Sequence, residues 1–226
     1  MSVVRRTPLH AATVVAARDL TARMRRITLH APTLESPRPA QDVELVLGDD
    51  TGRKVKRRYT ITRYGGGHFD IDALLHGDAP GANWAAAASA GDHVEFFGPR
   101  GKLELRPAAW HLFVGDESAL PAIAELTADV HTPAYALIEV GSEADELAVD
   151  AEVRWLHRGA ARPGGPDLLG TAIDAFAPPP GRGRAYLLGE SRVVAALRPA
   201  LHALGLTNEQ LYVKGYWNVG RVVLTR

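Results

Sequence analysis

Apolar and polar positions alternate through the first half of the chain. ATVVAARDL, MRRITLH and DVELVLG each turn every second residue to an apolar face, the two-residue period of a half-buried strand. Asp49-Asp50-Thr51-Gly52 has turn chemistry and joins DVELVLG to VKRRYTITR as a hairpin. Gly65-Gly66-Gly67 marks a second turn, into FDIDALL. A strand follows it, whereas a phosphate loop needs a helix start, so this triple glycine carries no phosphate role. Pro80-Gly81 opens an alanine-rich helix, and Gly91-Asp92 turns the chain into HVEFFGP. About six strands with one short helix predict a small antiparallel barrel.

The rhythm changes near Pro107. HLFVGD, AYALIEVG, VRWLHR, RAYLLGE and QLYVKGYW read as strands, and ESALPAIAELTADV and SRVVAALRPALHALG as helices. Strands alternating with helices predict a parallel sheet with a nucleotide site at the strands' carboxyl ends. The expected architecture is therefore a two-domain β plus α/β chain. An N-terminal antiparallel six-stranded β-barrel occupies residues 1–107, and a C-terminal parallel-sheet α/β domain occupies 108–226. The proline- and glycine-rich stretches 160–165 and 178–183 read as exposed connections.

Composition narrows the chemistry. Among 226 residues, 26 lysines and arginines balance 26 aspartates and glutamates, so net charge gives no reason to expect nucleic-acid binding. Cysteine is absent. That removes disulfides, thiolate nucleophiles, cysteinyl iron–sulfur clusters and cysteine-bound zinc. Redox chemistry then needs a bound organic cofactor or an iron carried by the substrate. No apolar run is long enough to span a bilayer, and the basic start MSVVRRTPLHAATVV lacks the core of a secretory signal. A cytoplasmic protein without membrane insertion is expected.

The candidate chemistry begins at Arg57-Arg58-Tyr59-Thr60-Ile61-Thr62-Arg63, after the basic run Arg53-Lys54-Val55-Lys56. Alternation sends Arg58 and Thr60 to one face and Tyr59 and Ile61 to the other. A dinucleotide such as FAD needs this mix: a cation for the pyrophosphate, an aromatic for the flavin and a polar group near its ring nitrogens. An exposed basic strand would look the same. The helix start at Gly81, Ala82, Asn83 and Trp84 offers unpaired amides and a favourable dipole to an anion, and His76 just precedes it. Gly115-Asp116-Glu117 is a strand-to-helix turn without the glycine fingerprint of an ordinary dinucleotide fold. Its two carboxylates would repel a pyrophosphate placed directly on it, and Asp116 suits a helix cap. Gly189-Glu190 is a second such turn. Arg158 ends a middle strand where cofactor ribose and adenine are usually read, and either it or Arg192 could meet a 2′-phosphate; Tyr216 and Trp217 are paired aromatics after the last strand. No catalytic triad or metal-ligand spacing of histidines appears.

Taken in order, RRYTITR, LLHGDAPGANWA, GDHVEFFGPRG, VGDESALPAI, WLHR, LLGES and KGYW resemble the siderophore-interacting protein family. The resemblance runs from about Val14 to Arg221. It implies flavin-dependent ferric-siderophore reductases of the ferredoxin–NADP reductase-like superfamily, with an FAD-binding barrel and an NAD(P)H-binding sheet. It further implies Arg58 toward the FAD pyrophosphate, Tyr59 against the isoalloxazine and Thr60 near its reactive nitrogen. His76 and Gly81 to Trp84 match the phosphate and adenosine side. Gly115, Asp116, Glu117, Gly189 and Glu190 match the side of NADPH or NADH. Lys56, Arg57, Arg100 and Lys214 are the basic residues expected to meet an anionic ferric siderophore. Two departures are visible: Ala79-Pro80-Gly81 replaces the usual glycine–proline opening, and the chain stops soon after Arg221, where some members carry a further helix. The resemblance implies a monomer that moves electrons from the nicotinamide donor through FAD to chelated Fe(III). The rival readings are a general flavin or electron-transfer reductase serving a partner protein, and a nucleic-acid binder using RKVKRRY. Zero net charge and the acidic helix starts weigh against the binder.

Overall fold

A computed structural model describes residues 8–49 and 51–219. The chain divides into two compact units between Lys102 and Leu103.

In the first unit, six antiparallel strands close a barrel. They are β1 (Leu9–Asp19), β2 (Met24–His30), β3 (Asp42–Gly48), β4 (Lys54–Gly65), β5 (His68–Leu74) and β6 (His93–Arg100), in the order β1-β2-β5-β4-β3-β6. Closure by β1 with β6 leaves no open edge to template pairing with another chain. The predicted β3–β4 hairpin is present, and Asp49 pins it by accepting the Thr51 and Arg53 amides, both at 2.9 Å. Asp50 lies outside the described residues, as does Arg221. Every second residue of these strands fills the interior: Ile27 and Leu29, Val43 and Leu45, Phe69 and Ile71, and Phe96 are all buried. Each such side chain contributes roughly 1.5–3 kcal/mol of transfer free energy. The helix α1 (Pro80–Ala87) adds Ala85, and Trp84 packs against the same core.

In the second unit, five parallel strands form one sheet in the order β11-β10-β7-β8-β9. These are β7 (Trp110–Asp116), β8 (Ala134–Val140), β9 (Glu152–His157), β10 (Gly183–Glu190) and β11 (Leu211–Trp217). The chain builds outward from β7 to β9, then returns to the other side of β7. Strand order therefore reverses between β7 and β10. Helices cover both faces, as a parallel sheet requires. Trp110, Leu112 and Val114 pack with α3 (Asp167–Asp174) and α4 (Ser191–Ala203). Gly115 faces Ile123 of α2 (Leu120–Thr127) on the other side, where Phe113 stacks on Tyr186 with ring centres 5.0 Å apart.

Two elements differ from expectation. The helix expected from Glu117 onward begins as a 3-10 turn over Glu117–Ala119 and its α-helical part stops at Thr127. The Thr127 hydroxyl there donates to the Ile123 carbonyl at 2.9 Å and accepts the Asp150 amide at 3.3 Å. The short helix α3 was not anticipated, because it sits among proline- and glycine-rich connections. Its buried Leu169, Ala172 and Ile173 nevertheless have helical spacing. Among the described residues, no helix is long and apolar enough to cross a membrane.

Gly183 pairs with Trp110 in the sheet register, and a Cβ at Gly183 would overlap the indole ring. That ring is buried and donates to the Gly181 carbonyl at 3.2 Å. Gly183→Ala is expected to destabilise the protein by about 1–3 kcal/mol through overpacking. Urea unfolding measures this directly, and an unchanged midpoint would refute it.

Candidate functional site

The basic strand β4 splits its side chains between two faces. Arg57 and Tyr59 turn toward the start of α1. A Cβ on Gly81 would stand 2.6 Å from the Tyr59 hydroxyl and 3.2 Å from Arg57 Cγ, so Gly81 leaves a cradle that a side chain would fill. The helix start itself is open: Ala79 at the N-cap makes no side-chain hydrogen bond, and Pro80 follows it. Uncapped amides and the helix dipole favour an anion, and Arg57 adds a full positive charge beside them. Burial pushes the Tyr59 hydroxyl pKa up, opposed by Arg57, so this group stays a neutral donor. The Tyr59 ring lies 6.3 Å from that of Trp84. An open helix start, a glycine cradle and an adjacent guanidinium fit the phosphate end of a flavin dinucleotide.

Arg58, expected at that pyrophosphate, points to the other face. With Lys56 and Arg100 it surrounds Glu44: Arg100 Nη1 lies 2.6 Å from the carboxylate, Arg58 Nε 3.4 Å and Lys56 Nζ 3.6 Å. Lys56 also stands 4.5 Å above the Phe97 ring. Conversely Arg57, expected among the chelate-facing cations, is the arginine beside Gly81. The exchange follows from strand geometry: positions 57 and 59 share a face, and 58 cannot join them. Thr60 is buried, Ala82 is buried, and His76 and Asn83 are exposed. Lys214 belongs to the second unit, with its ammonium 4.6 Å above the Tyr216 ring.

At the carboxyl ends of β7, β8 and β10, the second unit gathers most of the remaining candidates. One Asp116 oxygen accepts the Ser118 amide at 2.9 Å and also the Ser118 hydroxyl. The other accepts the Glu190 amide and the Trp217 indole N–H, both at 2.9 Å. Glu190 accepts the Arg192, Val193 and Val219 amides at 2.6, 2.8 and 3.1 Å. Glu117 accepts the Gly141 amide at 3.0 Å and Arg158 Nη2 at 2.7 Å. Arg158, expected toward a 2′-phosphate, is buried between Glu117 and Glu139. At these turns the Ser118, Glu190, Arg192 and Val193 amides already have carboxylate acceptors. These residues do not fit a nucleotide pyrophosphate at the turns. Glu139 is the residue that the motifs missed, although a glutamate inside the apolar run AYALIEV was its signal.

Among the described residues, no group of three or more histidine or acidic side chains is placed to hold a metal ion.

Two family models match the chain. The siderophore-interacting FAD-binding domain matches residues 40–103, and the siderophore-interacting protein family matches residues 108–220. Ferric vibriobactin reductase ViuB of Vibrio cholerae is 31% identical over 184 residues, which cover 75% of this chain and 66% of the relative. The chain thus spans about two thirds of that relative's length. An uncharacterized protein of Mycobacterium tuberculosis is 32% identical over 260 residues, covering 95% of this chain and 92% of that protein. A siderophore utilization protein from T. fusca superposes with a TM-score of 0.88 at 31% identity, covering 96% of this chain and 95% of its own. The ferredoxin reductase of carbazole 1,9a-dioxygenase has the same fold, with a TM-score of 0.73 at 18% identity over 93% of this chain and 70% of its own. A barrel followed by a parallel sheet is thus the two-domain fold that this chain shares with that reductase. Within that fold class, the chain belongs to the siderophore-interacting protein family and carries its FAD-binding domain.

Burial pushes the Glu139 carboxyl up to about 7; Arg158 opposes the shift, and Asp116 and Glu117 add to it. A carboxyl whose pKa is raised on folding stabilises the fold while protonated. That contribution is complete below the ordinary carboxyl value and is lost as pH rises through about 7. Glu139→Gln stays neutral at every pH. It is expected to gain stability relative to the parent between about pH 5.5 and about pH 8.5, by on the order of 1 kcal/mol. Urea unfolding at both pH values checks this, and a difference independent of pH would contradict it.

Proposed function

We propose that the chain is a cytoplasmic, flavin-dependent ferric-siderophore reductase that passes electrons through FAD to siderophore-bound Fe(III) and releases Fe(II). The observation that carries this reading is the open start of α1, with Arg57 and Tyr59 folded over Gly81 inside the family's FAD-binding domain. Bound FAD would supply the redox chemistry, accepting electron pairs and donating single electrons. Arg57 and the first α1 amides hold its phosphates. Tyr59, neutral and half-buried, presents an aromatic face and a hydroxyl beside them. No general acid or base is needed, because the iron step moves an electron and forms no bond at the protein. Fe(II) binds hard-oxygen chelators more weakly than Fe(III), so reduction frees the metal.

Lys56, Arg58 and Arg100 form the cationic face on which an anionic chelate would dock. Glu44 holds the three heads together and offsets one of their charges, leaving an excess of positive charge on a protein whose net charge is zero. This patch raises the encounter rate with an anion and loses its effect as salt screens it.

The test is anaerobic reduction of a panel of ferric siderophores by the FAD-loaded protein, with a ferrous-iron trap to report product. Photochemically reduced flavin, NADH and NADPH are supplied as separate electron sources. Failure of every ferric chelate to oxidise the photoreduced protein would rule out the reading. Two variants separate the faces of β4. Arg57→Ala should weaken FAD binding about ten- to a hundredfold, the loss of one charged hydrogen-bond donor to phosphate. The double variant Lys56→Ala/Arg58→Ala should retain FAD and raise KM for an anionic chelate several-fold at low salt, with the difference shrinking at high salt. Equal effects of both changes on FAD affinity would refute the division.

A further inference from the structure

In an open α/β sheet the ligand crevice lies outside the carboxyl ends of the strands, where strand order reverses. Here that place lies between β7 and β10. Nucleotide phosphates are held in such crevices by backbone amides of strand-to-helix turns, with glycines that let phosphate oxygens approach. Donors and glycines are both present in this chain, and both serve a side chain of the protein. The Ser118 amide and hydroxyl, the Glu190 amide and the Trp217 indole converge on the Asp116 carboxylate. A Cβ on Gly189 would stand 2.7 Å from Asp116 Oδ2, so this glycine makes room for the carboxylate. Its φ of +142 is one that L side chains rarely adopt, which adds a second reason for glycine there. A Cβ on Gly115 would stand 2.7 Å from the Leu188 carbonyl, so this glycine lets β7 and β10 close together beneath it.

We propose that the Asp116 carboxylate is a built-in anion that takes the donors a phosphate would need at the reversal point, closing this crevice to a nucleotide pyrophosphate. Every partner of Asp116 in this network donates to it. Burial raises its pKa, while the bonds from Ser118, Trp217 and Glu190 favour the ionised form. Glu117, Glu139 and Glu190 surround it, and Arg158 is the cation paired with two of them. A second anion entering the crevice would meet carboxylates with their amides already engaged. This inference rests on the reductase reading and deepens its donor side. The pyrophosphate common to NADH and NADPH finds no anchor at these turns, so both are held weakly. Flavin reduction by either nucleotide then rises linearly with concentration instead of saturating at low concentration.

The experiment uses the full-length, FAD-loaded protein. NAD+, NADP+ and inorganic pyrophosphate are titrated against it by calorimetry and by tryptophan fluorescence, which includes the Trp217 indole bonded to Asp116. No saturable binding below about millimolar concentration is expected. Micromolar binding of either nucleotide, displaced by pyrophosphate, would overturn the proposal. In Asp116→Ala the freed donors should form an anion hole. Its lowered Tm is expected to rise with added phosphate or pyrophosphate, whereas chloride at equal ionic strength has no such effect and the parent Tm stays put. A folded Asp116→Ala protein indifferent to phosphate would equally overturn the proposal. If that variant does not fold, the titration of the parent protein decides alone. Oxidation of photoreduced flavin by ferric siderophores, measured on the parent, tests the reductase reading independently. Its failure leaves the nucleotide result standing, and the reverse also holds.

Discussion

Every helix start leaves backbone amides without partners, and a protein must either give them an acceptor or keep them for a ligand. This chain does both, in different units. At α1 the N-cap is alanine, the next residue is proline, and the third is a glycine on which Arg57 and Tyr59 rest. Nothing at that cap accepts an amide through a side chain, and the adjacent cation reinforces the dipole. In the second unit the helix starts after β7 and β10 are capped by Asp116 and Glu190, and Asp116 also accepts the Glu190 amide of the other turn. One unit leaves a helix start without a side-chain cap, and the other caps its own.

That difference organises the electrostatics of the molecule. A chain with zero net charge concentrates cations on β4 and β6 and buries carboxylates at the carboxyl edge of the parallel sheet. Glu44 among three cations and Arg158 among carboxylates play matching parts, since each is the minority charge that lets its cluster exist. The Glu44 cluster is largely exposed, so its interaction energy is modest and salt-dependent. The Arg158 cluster is buried, where losing one partner would leave an uncompensated charge. Function divides along the same line. On the proposed function, the exposed cluster would meet a diffusing anion, and the buried one would shape what the sheet refuses.

The architecture was legible in the sequence because both sheet types have strong signatures. Alternation in MRRITLH and DVELVLG, with turn residues between strands, specifies half-buried antiparallel pairs. The continuous apolar runs HLFVGD and RAYLLGE specify strands covered on both faces. The helix α3 escaped because its apolar residues are few and its neighbours are prolines and glycines. At the site, strand alternation alone already placed Arg58 opposite Tyr59, yet which arginine meets the helix start needed α1 in position. Glu139 escaped for a related reason. A glutamate in an apolar strand is visible, but nothing local says that Arg158 and Glu117 lie across from it.

The sequence by itself determined the barrel, the parallel sheet, the absence of cysteine chemistry and the pool of basic, aromatic and acidic residues from which a site is built. These follow from local periodicity and composition, which short windows of chain express completely. The tertiary structure alone decided which of those residues meet. Arg57 reaches Gly81 across twenty-four positions (81 minus 57), and Trp217 reaches Asp116 across 101 positions. Whether a strand-to-helix turn offers its amides to a ligand or gives them to its own carboxylate depends on side-chain directions and on glycines elsewhere in the sheet. Pairings at such separations are set by how strands stack and in what register, and neighbouring residues carry no record of them.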